Sequence, residues 1–328
     1  MAETGTIGGT HHLTMCVGPA QEDYDFHVRV LGLRSVKKTV LFDGEIPIYH
    51  LYYGNDAGDV STLLTTFPYR QAGWMGERGT NQAKQINLAV PADSIGWWSD
   101  HLSEHGIATE PTELFGTERL LFTHPCGIPY ALVGDTDGDD RTPPERGPVP
   151  AEHGIRGAYG TTTSVRAVGE MDFFLREGVR GELVASEGAD HQYRLGPDSA
   201  HGRMLELVEE PDRPQGTWHF GEGTIHHHAF DATDDDNQLA IKEWLVGLGF
   251  TDISEKKDRG YFFSMYCRTP SGLLLELCHS GGRGFLIDET AEELGTHMCI
   301  PPHWEHRRAE IDQLEKLDTV ETMTVSAR

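Results

Sequence analysis

One pattern recurs four times along the chain and constrains its fold more than any other feature. A short alternating strand leads into an amphipathic helix, and apolar strands separated by glycine-containing turns follow. The first copy runs from HHLTMCV (11–17) through a helix near 21–32 to IPIYHLYYG and STLLTTFP (61–68). The second runs from QINLAVP (85–91) through SIGWWSDHLSEHG, where Ser94 is placed to cap a helix that Gly106 ends, to CGIPYALVGD. The third begins at GAYGTTTSV and closes at GRMLELVEE. The fourth starts at TIHHHAF (224–230), passes through a helix near 236–248 and closes with GYFFSMYCRTP and SGLLLELCHS (271–280). Each copy is a βαβββ module whose half-open sheet needs another copy to complete it. The expected class is α+β, with four modules paired into two cup-shaped mixed β-barrels.

On this reading residues 8–135 hold modules one and two, and 153–282 hold modules three and four. The acidic, proline-rich stretch DTDGDDRTPPERGPVP supplies a linker over 136–152. A tail, 283–328, carries HWEHRRAEIDQLEKL, which reads as a surface helix with charged i, i+4 pairs and no chemistry. The 52 acidic against 27 basic side chains give a net charge of −25, which repels nucleic acid and anionic lipid. Five cysteines without a C-x-x-C pair, and no run of about 18 apolar residues, point to a reducing, cytoplasmic setting without membrane spans. A homo-oligomer is compatible with all of this.

The strongest chemical signal is His226-His227-His228 opening the fourth module, with Glu276 in its last strand. Strand alternation lets the middle histidine face the same side as Glu276 while its neighbours point elsewhere. A carboxylate between leucines costs on the order of 2–7 kcal/mol to bury unless a partner compensates it. A metal is one such partner; a solvent-facing glutamate on an alternating strand is an equal reading of that segment alone. His11-His12 open the first module where His226-His227 open the fourth, so pairing of modules one and four brings His12, His227 and Glu276 together. Two histidines and one carboxylate leave open positions suited to iron(II) and dioxygen. Module three keeps Glu206 at the place of Glu276 but opens without histidine, and module two offers neither. One metal per chain is therefore expected, with Glu206 vestigial or hydrogen-bonded. Arg259 and Tyr266 lie on or beside the strand before Glu276, where an ordinary turn arginine and core tyrosine compete with a site role, and Thr14 shares the inward face of His12. Cys267 and Cys278 read as small buried hydrophobes, and His50 as a pocket or structural residue.

The segments HHLTMCVGPAQEDYDF, GLRSVKKTVLFDG, IPIYHLYYGN, TTFPYRQAGWMGERG, GEGTIHHHAF, GFTDISEKKDRGYFFSMYCRTPSG and LLLELCHS span almost the whole chain. Through them the chain resembles the hydroquinone-type ring-cleaving dioxygenases of the vicinal oxygen chelate superfamily. The resemblance implies a metal cup built by modules one and four, with His12, His227 and Glu276 as ligands. Catechol-cleaving relatives take theirs from modules three and four, which this sequence cannot do. It also implies functional positions at His11, Thr14, His226, Arg259 and Tyr266, with His226 or Tyr266 handling protons and Arg259 stabilising negative charge. The implied cofactor is Fe(II), with Mn(II) as the alternative, and the implied reactants are a small aromatic diol and O2. Insertion of O2 beside a hydroxyl of a para-diol ring gives a hydroxymuconic semialdehyde-type product. The competing readings are a catechol extradiol dioxygenase, a glyoxalase-like metal-dependent isomerase or lyase, and a non-catalytic small-molecule binder. Two positions depart from the family pattern: Tyr159 replaces a histidine, and His228, beside a ligand, replaces a small residue and bears on the substrate pocket.

Overall fold

The computed structural model describes residues 5–135, 138–217 and 219–320. Module one contributes β1 (Thr10–Val17), β2 (Arg34–Asp43), β3 (Ile46–Gly54) and β4 (Leu63–Pro68), with α1 (Ala20–Tyr24) running into a π-helical turn, Asp25–Val30. Module two contributes β5 (Gln82–Pro91), α2 (Ile95–Glu104), β6 (Glu110–Leu114), β7 (Thr117–Thr123) and β8 (Pro129–Asp135). Module three contributes β9 (Gly157–Val165), α3 (Val168–Phe173), β10 (Glu182–Glu187), β11 (Asp190–Arg194) and β12 (Met204–Glu209). Module four contributes β13 (Thr224–Asp231), α4 (Asp235–Gly247), β14 (Lys257–Asp258), β15 (Phe263–Arg268) and β16 (Leu274–His279). Among the described residues no helix is long and apolar enough to cross a membrane.

Local chemistry explains the helix ends, with one difference from expectation. The Asp234 carboxylate accepts the Asn237 N–H at 2.9 Å and starts α4, and Gly106 follows α2 in the left-handed conformation (φ 73°) that glycine tolerates. Ser94 does not cap α2. A 3-10 turn, Ala92–Ser94, leads directly into the helix, and the Ser94 hydroxyl bonds His153 Nδ1 at 3.0 Å instead.

The strands form two eight-stranded sheets, each curled into a cup. One has the order β14-β15-β16-β13-β1-β4-β3-β2 and joins modules four and one; the other, β10-β11-β12-β9-β5-β8-β7-β6, joins modules three and two. Within every module the first and last strands run parallel, and the central seam of each sheet is an antiparallel pair, β1·β13 or β5·β9. β1 is buried along its whole length because Leu13, Met15 and Val17 enter the main core while its other face lines the cup.

His228 takes no part in that cup. It turns to the opposite face of β13, stacks on Phe230 and bonds Thr10 Oγ1 (2.8 Å) and, across on β9, Thr161 Oγ1 (2.9 Å). Its bulk therefore ties the two sheets together and does not shape a pocket beside His227. Tyr159 belongs to the second cup, where a register bulge in β9 lets its hydroxyl accept from Gln192 at 3.1 Å.

In that second cup Glu206 is fully hydrogen-bonded. Arg119, 1% exposed, grips it with two bonds of 2.9 and 2.6 Å, and Asn87, Thr162 and Gln192 donate to it at 3.1, 2.9 and 3.1 Å. A guanidinium compensates the buried carboxylate where a cation would otherwise be needed.

The tail differs from a free surface helix. Residues Pro302–Arg307 are 3-10 and only Arg308–Ile311 are α-helical, so the ion pairs Arg307–Glu310 and Arg308–Glu305 span three residues, the eclipsed spacing of a 3-10 turn. Upstream, the tail packs against the first sheet: Lys37 of β2, fully buried, pairs with Asp288 at 2.6 Å and with Glu289, and Phe285 and Leu294 join Tyr52, Leu63 and Phe262 in one apolar cluster.

Candidate metal centre

Strand register assembles the candidate site. Thr14 lies opposite His227, His12 opposite Ala229, Ala229 beside Glu276, and Glu276 opposite Tyr266, which sets these residues on one face of four adjoining strands. His12, His227 and Glu276 are 2%, 3% and 0% exposed. His12 Nε2 is 3.0 Å from His227 Nε2, and Glu276 Oε2 is 2.8 Å from His227 Nε2 and 3.7 Å from His12 Nε2. The three side chains expected from the sequence to converge do so.

Two bulges extend this set in a way alternation did not foresee. The β1·β13 register shifts between Thr10 and His12 and again between Thr14 and Met15, so His11 on one strand and His226 on the other are the extra residues. Each bulge turns a histidine toward its neighbour: His11 Nδ1 meets His12 Nδ1 at 3.0 Å, and His226 Nδ1 meets His227 Nδ1 at 2.8 Å. His226, expected to point elsewhere, thus stands behind His227, stacked on Phe220. Burial pushes His11 down to about 4 and His227 to about 3, and holds His12 and His226 well below the usual histidine range. All four rings are neutral at pH 7, so one nitrogen of each carries hydrogen. If His12 and His227 present bare Nε2 atoms to the cup, their Nδ1–H groups donate to His11 and His226; His11 is then left with an Nε2–H that donates to Ser280 Oγ at 3.1 Å.

A hydrogen-bonded row leads away on the other side. Thr14 Oγ1 is 2.8 Å from His227 Nε2 and 2.6 Å from Thr65 Oγ1; Thr65 contacts His50 Nε2 at 3.3 Å, and Tyr52 OH contacts His50 Nδ1 at 3.0 Å. Sequence reading missed Thr65 and Tyr52 and left His50 a pocket or structural residue. The signal was available in the period-two positions 63, 65 of β4, which borders β1, and 50, 52 of β3 beyond it. Across the cup Arg259, exposed, donates to Tyr266 OH at 3.0 Å. Burial and the Glu276 charge push the Tyr266 phenol above its usual value against the opposing pull of Arg259, so it keeps its proton.

The residues fit a cation. Both Glu276 oxygens are buried without a hydrogen bond, two imidazole nitrogens stand beside one of them, and the distal Nδ1 atoms of both imidazoles are already engaged. Glu206, the equivalent residue of the second cup, shows what a satisfied carboxylate looks like in this fold. Outside the module positions from which a single metal was expected, Asp23, His27 and His124 also converge, buried.

Paired βαβββ modules that cup two histidines and a glutamate define a protein of the vicinal oxygen chelate class. Glyoxalase I from Zea mays shares that fold, at a TM-score of 0.59 and 14% identity over 83% of this chain and 92% of that one. No family model matches the sequence. The chlorohydroquinone/hydroquinone 1,2-dioxygenase of Sphingobium indicum is 40% identical over 308 residues, 93% of this chain and 95% of its own. The Bacillus subtilis protein MhqO, a proposed ring-cleaving dioxygenase, is 33% identical over 310 residues, 93% and 95% of the two chains. The crystal structure of a proposed dioxygenase from Bacillus subtilis superposes with a TM-score of 0.88 at 32% identity, covering 96% of this chain and 98% of that one. The chain belongs to the hydroquinone-type ring-cleaving dioxygenases of the vicinal oxygen chelate superfamily.

Proposed function

We propose that the protein is an iron(II)-dependent dioxygenase that opens a hydroquinone-type para-diol ring beside a hydroxyl, giving a hydroxymuconic semialdehyde-type product. One observation carries the proposal: Glu276 is buried with neither oxygen hydrogen-bonded, beside the Nε2 atoms of His12 and His227. The relative from Sphingobium indicum supports the substrate class. His12, His227 and Glu276 hold the iron, with Mn(II) as the alternative. Bound there, iron(II) supplies Lewis acidity and an electronic route between an aromatic diol and O2 through its open positions.

The chain's own residues prepare the reactants. His11 and His226 fix the tautomers of the two ligand histidines. The rings of Phe262, 5.3 Å from that of His12, and of Tyr52 beyond it border the cup and are suited to exclude water there. The Tyr266 hydroxyl, held by Arg259, donates its proton to a substrate oxygen, and the guanidinium offsets negative charge developing there. His226 takes a supporting part in proton handling through His227. The five free thiols suit a reducing cytoplasm.

The test is anaerobic Fe(II) loading followed by oxygen uptake with hydroquinone, catechol and substituted analogues. Uptake with para-diols, and loss of both iron and turnover in Glu276→Gln, is the expected result. Full activity in that variant, or no uptake with any diol, overturns the proposal.

A further inference from the structure

The hydrogen-bonded row from Tyr52 to Thr14 crosses three strands of the cup and ends beside a proposed ligand. Register sets Thr14 of β1 next to Thr65 of β4, and Thr65 next to Tyr52 of β3; His50 shares the face of Tyr52, two residues away. Thr14, Thr65 and Tyr52 are buried. The His50 ring packs against those of Tyr52, at 4.2 Å, and Phe67, at 4.5 Å, which holds its plane.

The protons along the row point one way. Burial and the Glu276 charge hold the Tyr52 phenol well above its usual value, so it keeps its proton. Its one hydrogen bond among the described residues goes to His50 Nδ1 at 3.0 Å. Burial holds His50 well below the usual histidine range, so the ring is neutral and, with Nδ1 accepting, carries its hydrogen on Nε2. The Nε2–H donates to Thr65 Oγ1 at 3.3 Å, the Thr65 O–H to Thr14 Oγ1 at 2.6 Å, and the Thr14 O–H to His227 Nε2 at 2.8 Å. The reverse direction requires a hydrogen on His227 Nε2, the nitrogen that a ligand must keep bare.

We infer that Tyr52, His50 and Thr65 are positioning residues that aim the Thr14 hydroxyl at a substrate oxygen in the cup, an inference that rests on the ring-cleaving reading. A lone threonine hydroxyl rotates freely. Here the Thr65 proton occupies the side of Thr14 Oγ1 away from His227, so the Thr14 proton stays turned toward the cup. When the His227 lone pair is engaged by a cation, the acceptor left to that proton is an oxygen of the reactant beside it. A donor held in place before charge develops needs no reorganisation during the reaction, and each bond of the row polarises the next.

Two measurements test this, one of them without iron or turnover. In the metal-free chain labelled at its histidine nitrogens, NMR reads the tautomer of His50, assigned by the loss of its signals in His50→Gln. The Nε2–H form is expected, and Tyr52→Phe, which removes the donor to Nδ1, is expected to shift it toward Nδ1–H. In the iron-loaded chain, Thr65→Val is expected to lower kcat for hydroquinone on the order of 10–100-fold while KM and iron content stay unchanged. Thr65→Ser, which keeps the hydroxyl, is expected to recover most of that loss. If the ring-cleaving reading alone fails, no variant consumes any diol while the tautomer and its shift remain as expected. Should Thr65→Val fail to fold, Tyr52→Phe, which keeps the ring beside Phe285, 5.1 Å away, carries the same kinetic test. The Nδ1–H tautomer in the unaltered chain, an unchanged kcat in Thr65→Val, or equal losses in Thr65→Ser and Thr65→Val overturn the inference.

Discussion

The bulges at His11 and His226 are residue-scale features with a chemical consequence: each sets a neutral imidazole where it can accept the Nδ1–H of a proposed ligand histidine. Removing that acceptor leaves the ligand free to rotate or change tautomer. His226→Ala is therefore expected to weaken iron affinity on the order of 10–100-fold, read by anaerobic titration of the chelator-stripped chain. Tyr266→Phe acts differently. It is expected to lower kcat on the order of 100-fold or more while iron content stays unchanged, because the phenol hydroxyl bonds Arg259 and the ring edge against His227 is kept in phenylalanine. A parallel loss of iron in Tyr266→Phe would place the phenol in metal binding and sink its proton role. At this scale the sequence disclosed the convergence of His12, His227 and Glu276, since equivalent modules place equivalent residues. It did not disclose the bulges, which depend on a register between strands more than 200 residues apart, nor the partners of His228, which alternation had pointed away from the cup without saying what it meets.

At the scale of elements, the second cup shows how one strand position is reused without metal. Glu206 and Glu276 both sit on the last strand of a module, beside the first strand. Arg119, from module two, reaches the former with two hydrogen bonds and closes it to other cations. Arg119→Ala strands a buried carboxylate and is expected to cost about 3–5 kcal/mol in denaturant unfolding. Arg119→Met with Glu206→Leu removes both charges and is expected to recover most of that loss; a double variant as unstable as the single one would show that volume rather than charge holds this cup. Sequence reading found Glu206 but not Arg119, because β7, which carries Arg119, reaches Glu206 across the cup with β9, β5 and β8 lying between the two strands in the sheet. The tail was misjudged for a similar reason. Its anchor, buried Lys37 with Asp288 and Glu289, joins residues some 250 apart, a pairing that no local period reveals. Phe285→Ala, at the tail's contact with Tyr52, is expected to raise KM for a hydroquinone more than it lowers kcat, measured by steady-state oxygen uptake.

At the scale of the whole molecule, the repeat made the architecture legible: four βαβββ modules can satisfy their edges only in pairs, and histidines at the openings of modules one and four select which pairs. What remained hidden is how the pairs are fastened. His228, flanked by Thr10 and Thr161, sits where the two sheets meet, and the cluster at Asp23 joins module one to module two, both outside the reach of strand periodicity.

The seam between β1 and β13 also sets an order of events during synthesis. His12 leaves the ribosome well before β13 and Glu276 do, so, as the residues between are being made, THHLTMCV can pair on its β4 side while its other edge waits for a partner not yet made. An exposed, apolar edge of that length invites pairing with another nascent chain. Every interrupted chain lacking β16 also lacks the carboxylate of the cup. The proposed metal site is thus complete only once β16 has been made, and messages truncated before the codons of β13 are expected to yield aggregation-prone protein because β1 stays uncovered.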